Sequence, residues 1–198
     1  MKMTYPRKGL SMLNMTVADA KKRLFDILKS RAFSRGDFIL SSGKKSSYYL
    51  DARLVTLSAE GAFLCGKLMQ DLVRHKDPTA IGGPTLGADP MVGAVGAVSF
   101  LEGNPVKTFI IRKEPKGHGK GRMVEGPELT PSDRIVVIDD VATTGKAFIH
   151  SIDALAADGL KPVVCACIID RQDGAKEALA ARGVEFVSLF TAAEFLRD

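Results

Sequence analysis

The sequence predicts an α/β protein in which a Rossmann-like parallel sheet carries helices on both faces. Short apolar runs, such as Ile-Val-Val-Ile at residues 135–138, lack the alternation of a half-exposed strand and indicate strands buried on both sides. These runs alternate with segments of helical periodicity, which is typical of parallel strands joined by right-handed crossovers. A length of 198 residues suits one domain, and a hydrophobic content of 45% excludes a mainly disordered chain.

The amino-terminal part of the chain is predicted to contain a loose extension over residues 1–15, followed by a folded layer. Thr16 begins a sequence that resembles a capping box, and apolar residues at helical spacing continue to about residue 32. Residues 38–57 alternate loosely around a Ser-Ser-Gly-Lys-Lys stretch, which predicts a strand, a turn and a second strand. We call the layer formed by residues 16–57 the hood.

From residue 58 onwards helices and strands alternate, so that residues 16–198 are predicted to form a single domain. Helices are predicted at residues 58–75, 91–100, 145–157, 175–182 and 191–197. Strands are predicted at residues 79–83, 107–111, 134–138, 162–169 and 184–189. Because ligands of parallel sheets bind at the carboxyl ends of the strands, we expect the functional residues in the loops that follow these strands.

The composition limits the kinds of partner and compartment. The net charge is +5, from 28 Lys and Arg against 23 Asp and Glu, which allows nucleic acid, a membrane surface or a small polyanion as a partner. The three cysteines are too few for a disulfide scaffold and fit a reducing cytoplasm. No apolar run approaches the ~20 residues that span a bilayer, and residues 1–15 lack a convincing signal-peptide cleavage site. A cytoplasmic protein is therefore expected.

Two adjacent acids, Asp139 and Asp140, follow the apolar run at residues 135–138. After them comes a loop of small and hydroxyl residues that opens a helix, with Thr143 and Thr144 at its centre. Backbone N–H groups at a helix start and threonine hydroxyls suit a phosphate monoester. Carboxylates instead suit vicinal hydroxyls or a Mg²⁺-bound sugar, because they would repel a phosphate. A phosphate at one end and a diol at the other describe a ribose 5-phosphate.

Much of the charge excess lies in residues 112–122, which contain five Lys or Arg and one His and which we call the basic loop. Its Gly and Pro residues disfavour a helix, so a mobile segment is predicted. A mobile cationic loop beside a ribose-phosphate site suits a departing pyrophosphate, whose growing negative charge it would stabilise. The alternative is a solvated loop or a nucleic-acid patch, and the lack of interleaved aromatic residues disfavours single-strand binding.

Several segments resemble one known family. Residues 134–147 closely resemble the 5-phosphoribosyl 1-pyrophosphate (PRPP) signature of type I phosphoribosyltransferases. The basic loop resembles the catalytic loop of orotate phosphoribosyltransferases in the spacing of its Arg, Lys and His residues. Three further segments resemble that family, at residues 38–53, 83–90 and 170–172. The resemblance runs from about residue 16 to the carboxyl terminus.

The resemblance implies a type I phosphoribosyltransferase fold and transfer of a phosphoribosyl group from PRPP to orotate, with Mg²⁺ as cofactor. The implied catalytic residues are Lys116, His118, Asp139 and Asp140. The implied PRPP-binding residues are Arg112, Lys113, Lys116, His118, Asp139, Asp140, Val141, Ala142, Thr143, Thr144, Gly145, Lys146 and Ala147. The implied orotate-binding residues are Thr143 and Arg171, of which Arg171 pairs with the orotate carboxylate.

The same resemblance implies how the metal and the subunits are arranged. Mg²⁺ is held mainly by PRPP, without a direct protein ligand, and water links it to Asp139 or Asp140. Residues 112–124 form a mobile catalytic loop, and residues 112–122 act in the neighbouring site of a homodimer. PRPP and orotate are the expected partners, with no role for nucleic acid or a membrane.

The chain departs from the family pattern at two places. Some members carry a Lys where this chain has Ser41, and a Tyr-Lys pair where it has Leu86 and Gly87. The positive charge would then come from Lys44, Lys45 or the basic loop. Two other functions stay open at this point: a phosphoribosyltransferase for a purine base, and a non-enzymatic regulator of the same fold that binds PRPP.

Overall fold

The first helix begins where the sequence places its cap. The computed structural model describes residues 14–39, 45–115 and 122–197. In it the Thr16 hydroxyl accepts a hydrogen bond from the backbone N–H of Asp19 at 3.1 Å, and helix α1 spans Val17–Arg31. Its buried residues are Ala20, Leu24, Ile27 and Leu28. The predicted amino-terminal helix is confirmed, whereas the extension over residues 1–15 lies almost wholly outside the described residues.

The hood contains a two-stranded antiparallel hairpin, with β1 at Phe33–Ile39 and β2 at Lys45–Leu50. Strand β1 begins five residues earlier than predicted, because Phe33 pairs with Leu50 and stacks on Tyr48 at a centroid distance of 5.7 Å. The end of the predicted second strand is instead helix α2, Arg53–Thr56. Asp51 causes this change, since its carboxylate accepts the backbone N–H of Arg53 at 3.1 Å and turns the chain.

The rest of the chain builds a six-stranded sheet in the order β5-β4-β3-β6-β7-β8. Its strands are β3 Ala80–Pro84, β4 Lys107–Ile111, β5 Val124–Glu125, β6 Ile135–Ala142, β7 Pro162–Asp170 and β8 Glu185–Thr191. All neighbouring strands are parallel except β5, which pairs antiparallel with β4. The predicted parallel sheet is confirmed, and β5 is an antiparallel edge that the sequence did not indicate.

Helices cover both faces of this sheet. They are α3 Ala59–Val73, α4 Asp89–Leu101, α5 Lys146–Ala157, α6 Ala175–Ala180 and α7 Ala192–Leu196, with a 3₁₀ turn at Arg74–Lys76. Alternate residues of β6 enter two separate cores: Val136 and Ile138 pack with α1, α3 and α4, whereas Ile135 and Val137 pack with α5 and α6. This double burial explains why residues 135–138 of the strand are all apolar.

The sheet topology creates a switch point between β3 and β6. The chain leaves β3 towards β4 on one side and returns to β6 on the other side of β3, so that the two strands are neighbours. In open α/β sheets the crevice outside the carboxyl ends of two such strands is the usual ligand site. No helix in the described ranges is both long and apolar enough to span a membrane.

Candidate active site

The two acids lie inside a strand rather than in the loop after it. Strand β6 continues to Ala142, four residues beyond the predicted end, because it stays in register with β7 up to the pair Ala142 and Asp170. One Asp139 carboxylate oxygen accepts the backbone N–H of Asp140 at 2.9 Å, and one Asp140 oxygen accepts the N–H of Val141 at 2.8 Å. Sheet pairing and these bonds fix the carboxylates before any ligand arrives.

The acid pair is in an environment that disfavours its negative charge. Asp139 is only 7% exposed. Burial raises the pKa of Asp139 well above its ordinary value, and the charge of Asp140 raises it further. Burial also raises the pKa of Asp140, although the N–H of Val141 and the guanidinium of Arg53 oppose this. Hydroxyl donors or a cation at this site would therefore stabilise the ionised pair.

The loop after the acid pair ends in the start of helix α5. Gly145 has φ = 78° and forms the cap of α5, so the first N–H groups of the helix face the loop rather than a preceding helical turn. Thr143 is half-buried and Thr144 is exposed. The segment thus offers backbone donors, two hydroxyls and the positive end of a helix dipole, which together suit a phosphate.

A cleft of about 320 Å³ lies at the switch point. It contains five residues that the sequence predicted: Lys113, Asp139, Asp140, Val141 and Ala147. It also contains hood and β3-loop residues to which no role was assigned: Tyr49, Leu50, Asp51, Ala52, Arg53, Pro84, Thr85, Leu86 and Gly87. The sequence pointed to these residues only because they lie in two of the segments that resemble the family, residues 38–53 and 83–90.

The loop after β3 lies directly on the acid pair at Gly87. A Cβ atom built at Gly87 would be 2.6 Å from a carboxylate oxygen of Asp140 and 2.8 Å from one of Asp139. The loop is held there by the N–H of Thr85, which donates to the carbonyl of Ile111 at 3.0 Å. In this arrangement of the acids, a Cβ atom at position 87 would press on both carboxylates, which a glycine avoids.

Arg171 lies beneath the hood and is only 8% exposed at its side chain. Its guanidinium carbon is 4.5 Å from the centroid of the Tyr48 ring, and its Nη2 donates to the Ser46 hydroxyl at 3.4 Å. Its Nε is 3.7 Å from an Asp173 oxygen and, within the described residues, has no hydrogen-bond partner although it is buried. Such an arginine retains donor capacity for an anion.

The backbone around Arg171 places it next to the phosphate loop. Its N–H donates to the carbonyl of Ala142 at 2.8 Å, so that Arg171 adjoins Thr143. Gln172 has φ = 60°, and its N–H donates to the buried carboxylate of Asp170 at 2.8 Å. This turn directs the chain away after β7. Neither Thr143 nor Arg171, however, lines the cleft that contains the acid pair.

The remaining predicted residues are placed differently or fall outside the described ranges. Arg112 is 3.6 Å from Glu125 and does not line the cleft, and Lys45 is exposed on β2. Outside the described residues lie Ser41, Lys44, Lys116 and His118. The described ranges contain no cluster of three or more His, Cys, Asp or Glu residues arranged to bind a metal ion.

Fold and site together define a class: an α/β protein that binds a phosphorylated sugar at the switch point of a parallel sheet. The family model of the phosphoribosyl transferase domain matches residues 56–191. The chain is 41% identical to the orotate phosphoribosyltransferase of Aquifex aeolicus over 179 residues, which are 89% of this chain and 97% of the relative. It is 44% identical to that of Synechocystis sp. over 176 residues, 88% of each chain.

A solved structure agrees with these relatives. The orotate phosphoribosyltransferase of Mycobacterium tuberculosis in complex with PRPP superposes with a TM-score of 0.75 at 31% identity, covering 90% of this chain and 99% of that one. The chain therefore belongs to the phosphoribosyltransferases and, within them, to the orotate phosphoribosyltransferase family.

Proposed function

We propose that this chain transfers the 5-phosphoribosyl group from PRPP to orotate, giving orotidine 5′-monophosphate and pyrophosphate in UMP synthesis. The observation that carries the proposal is the acid pair of β6, with Asp139 buried and Asp140 half-buried, beside a helix-start loop and inside the switch-point cleft. The names of the relatives and the PRPP in the mycobacterial structure support it.

The ribose 5-phosphate half of PRPP fits the end of β6. Ribose hydroxyls would donate to Asp139 and Asp140, and these bonds favour the ionised carboxylates whose pKa burial has raised. The 5′-phosphate would accept from the loop of residues 141–147, whose donors are the backbone N–H groups, Thr143, Thr144 and Lys146. The acids thus lie at the diol end, away from the phosphate that they would repel.

Substitution at C1 of the ribose develops positive charge on the sugar and negative charge on the leaving pyrophosphate. The ionised acid pair would stabilise the first charge, and Lys113 in the cleft would stabilise the second. Arg112, Lys116 and His118 are proposed to join Lys113 at the pyrophosphate. Orotate is already an anion with a nucleophilic ring nitrogen, so the reaction needs little general-base catalysis.

Orotate is proposed to bind between the hood and the end of β7. Its carboxylate would accept from Arg171, a buried guanidinium whose Nε is unpartnered in the described part of the chain. Charge-assisted bonds of this kind are bidentate when an arginine fork faces a carboxylate. Thr143 adjoins Arg171 through the Ala142 carbonyl and would make the second orotate contact.

Mg²⁺ fits this donor set as a companion of PRPP. Carboxylate oxygens are the hard ligands that Mg²⁺ prefers, and since the described residues form no three-residue metal cluster, contact through water suits the adjacent pair. When bound, the ion neutralises diphosphate charge in the transition state. Asp139 and Asp140 would orient its water shell while holding the ribose hydroxyls.

The assembly and the compartment are also proposals. We propose a single domain over residues 16–198, a homodimer in which residues 112–122 act in the neighbouring site, and a cytoplasmic location. Supporting the dimer, Arg112 points to Glu125 rather than into the cleft of its own chain, whereas Lys113 lines that cleft and is the residue of this loop that would act in its own chain. Supporting the location, Cys65, Cys165 and Cys167 are free, buried thiols. Mixing the inactive Lys116→Ala and Asp139→Asn chains tests the dimer. Half of the randomly mixed dimers would contain one chain of each kind, and one of their two sites would combine an intact Asp139 with an intact loop. The mixture should therefore regain about a quarter of the wild-type activity.

The decisive assay mixes the protein, PRPP and Mg²⁺ with orotate or with purine bases and follows the loss of orotate absorbance and, for every base, the release of pyrophosphate. We expect consumption of orotate alone, with pyrophosphate released in equal amount. Reaction with a purine only would make the chain a purine phosphoribosyltransferase. Binding of PRPP without consumption of any base would make it a regulator. The Lys116→Ala variant should lose most turnover while keeping its circular dichroism spectrum.

A further inference from the structure

The cleft has too little positive charge, in the described residues, for a ligand that carries a diphosphate. Three carboxylates line it, those of Asp51, Asp139 and Asp140, against two cations, Arg53 and Lys113. The loop after β3 contributes no charge, because its central residues are Leu86 and Gly87. A diphosphate therefore needs every cation that the fixed walls of the cleft can offer.

Arg53 is the cation that the hood fixes in this cleft. Its Nε and Nη2 donate to the two carboxylate oxygens of Asp51 at 2.9 and 3.0 Å, which locks the guanidinium in place at the start of α2. The side chain is nevertheless 49% exposed, and in the described ranges its Nη1 donates to no protein acceptor. The hydrogen bond to Asp51 is the main cause of a raised pKa of Arg53. The negative charge of Asp140, across the cleft, raises the pKa of Arg53 further.

The opposite wall has no room for a substitute. A Cβ atom at Gly87 would lie 2.6 to 2.8 Å from carboxylate oxygens of Asp139 and Asp140, so this loop approaches the acids with a glycine and contributes no cation at that point. The hood side offers a preorientated guanidinium at the same cleft. A guanidinium that is already held in one orientation loses less conformational entropy when a ligand binds, so more of the interaction free energy contributes to affinity.

We infer that Arg53 binds the diphosphate of PRPP, and the pyrophosphate product, through its Nη1 edge, with Asp51 as the residue that positions it. This inference rests on the proposed function and adds to it a binding residue from the hood. It also assigns the missing positive charge to Arg53 rather than to Lys45, which is exposed on β2 outside the cleft lining.

The test compares Arg53→Ala with Arg23→Ala. Arg23 is a matched control, because it forms the same fork with Glu60, at 2.7 and 3.1 Å, and is also 49% exposed, but does not line the cleft. Loss of a charged hydrogen bond should raise the KM for PRPP about tenfold in Arg53→Ala. The KM for orotate should not change, and Arg23→Ala should behave as the wild type. Equal PRPP KM values in both variants would overturn the inference.

Calorimetric titration with Mg²⁺-pyrophosphate and with ribose 5-phosphate locates the contact on the ligand. Arg53→Ala should weaken pyrophosphate binding about tenfold and leave ribose 5-phosphate binding unchanged. Because this titration needs no turnover, it tests the inference even if orotate is not the acceptor. Failure of the proposed function would instead appear as a wild type that does not consume orotate.

The double variant Asp51→Ala/Arg53→Ala separates a ligand contact from simple neutralisation of Asp51. If Arg53 contacts the diphosphate, the double variant should keep the raised KM of Arg53→Ala. If Arg53 only cancels the charge of Asp51, removing both should restore a wild-type KM and the inference would be wrong. Melting temperatures of all variants show whether each one is folded.

Discussion

Strand β6 has an aspartate near each end, and the two lie in opposite environments. Asp133, just before the strand, accepts from Lys107 at 2.9 Å, from Thr79 at 2.9 Å and from the N–H of Thr130 at 2.8 Å. These bonds hold the pKa of Asp133 far below its ordinary value. At the other end, burial and a neighbouring carboxylate raise the pKa of Asp139.

The contrast separates two uses of the same residue type. At the amino edge of the sheet a satisfied carboxylate stabilises the fold. At the carboxyl edge a poorly satisfied pair costs stability, and the missing partners are the ones that a ligand would supply. The two edges should therefore respond in opposite ways to substitution and to pH.

The largest expected effect is at the carboxyl edge. Asp139→Asn should lower kcat/KM about 100-fold, because it removes a charge aimed at the reacting sugar. The amide oxygen can still accept the Asp140 N–H, so the fold should persist. The raised pKa penalises the ionised form, so the melting temperature should exceed that of the wild type by an amount that grows as the pH rises from about 4. Activity assays and thermal unfolding across pH 4–8 test this, and a melting-temperature advantage of the variant that shrank as the pH rose would contradict it.

The next effect is at the amino edge and has the opposite sign. Asp133→Ala should lower the free energy of unfolding by about 2 kcal/mol at neutral pH, because it removes the acceptor of four donors on Thr79, Lys107 and Thr130. A lowered pKa gives stability that is complete above the unfolded value of about 3.9 and is lost as the pH falls below it, so the difference from the wild type should shrink there. Denaturant unfolding at several pH values measures this. A changed KM for PRPP would show that the edges are not independent.

Gly87→Ala tests whether the carboxyl edge depends on the exact placement of the acids. Its Cβ would push against both carboxylates, so kcat/KM should fall about tenfold. Gly93→Ala in α4 is the control, because a Cβ there meets nothing within 4 Å. That variant should keep full activity and gain up to about 1 kcal/mol of helix stability. Equal activities of the two variants would show that the acids can move without cost.

The smallest effect is expected at Tyr48, the hood residue whose ring lies against Arg171 at the carboxyl edge. Tyr48→Leu should raise the KM for orotate about fivefold, because the stacked ring no longer orients Arg171. Tyr48→Phe retains the ring and should remain close to the wild type. The KM for PRPP should stay constant in both. If the phenylalanine variant were as impaired as the leucine variant, the hydroxyl rather than the ring would be responsible.

The sheet and the acid pair could be predicted because their signals are local. The apolar run of β6, Asp139, Asp140 and the threonines are consecutive in the chain. The hood was less predictable: its first strand begins at Phe33 because of a pairing with Leu50, and α2 replaces the end of a predicted strand. These outcomes depend on contacts between residues far apart in sequence, which periodicity does not report.

The sequence by itself determined the fold class and the family, and it predicted a phosphate-and-diol site around the end of β6, since each follows from the order of neighbouring residues. Only the tertiary structure decided which distant residues share the cleft. It brought Arg53 and Gly87 to the acid pair, and it joined Ser46 and Tyr48 to Arg171, more than a hundred residues later. The physical reason is that a parallel sheet gathers the carboxyl ends of separate strands at one edge, where charge and space are then shared.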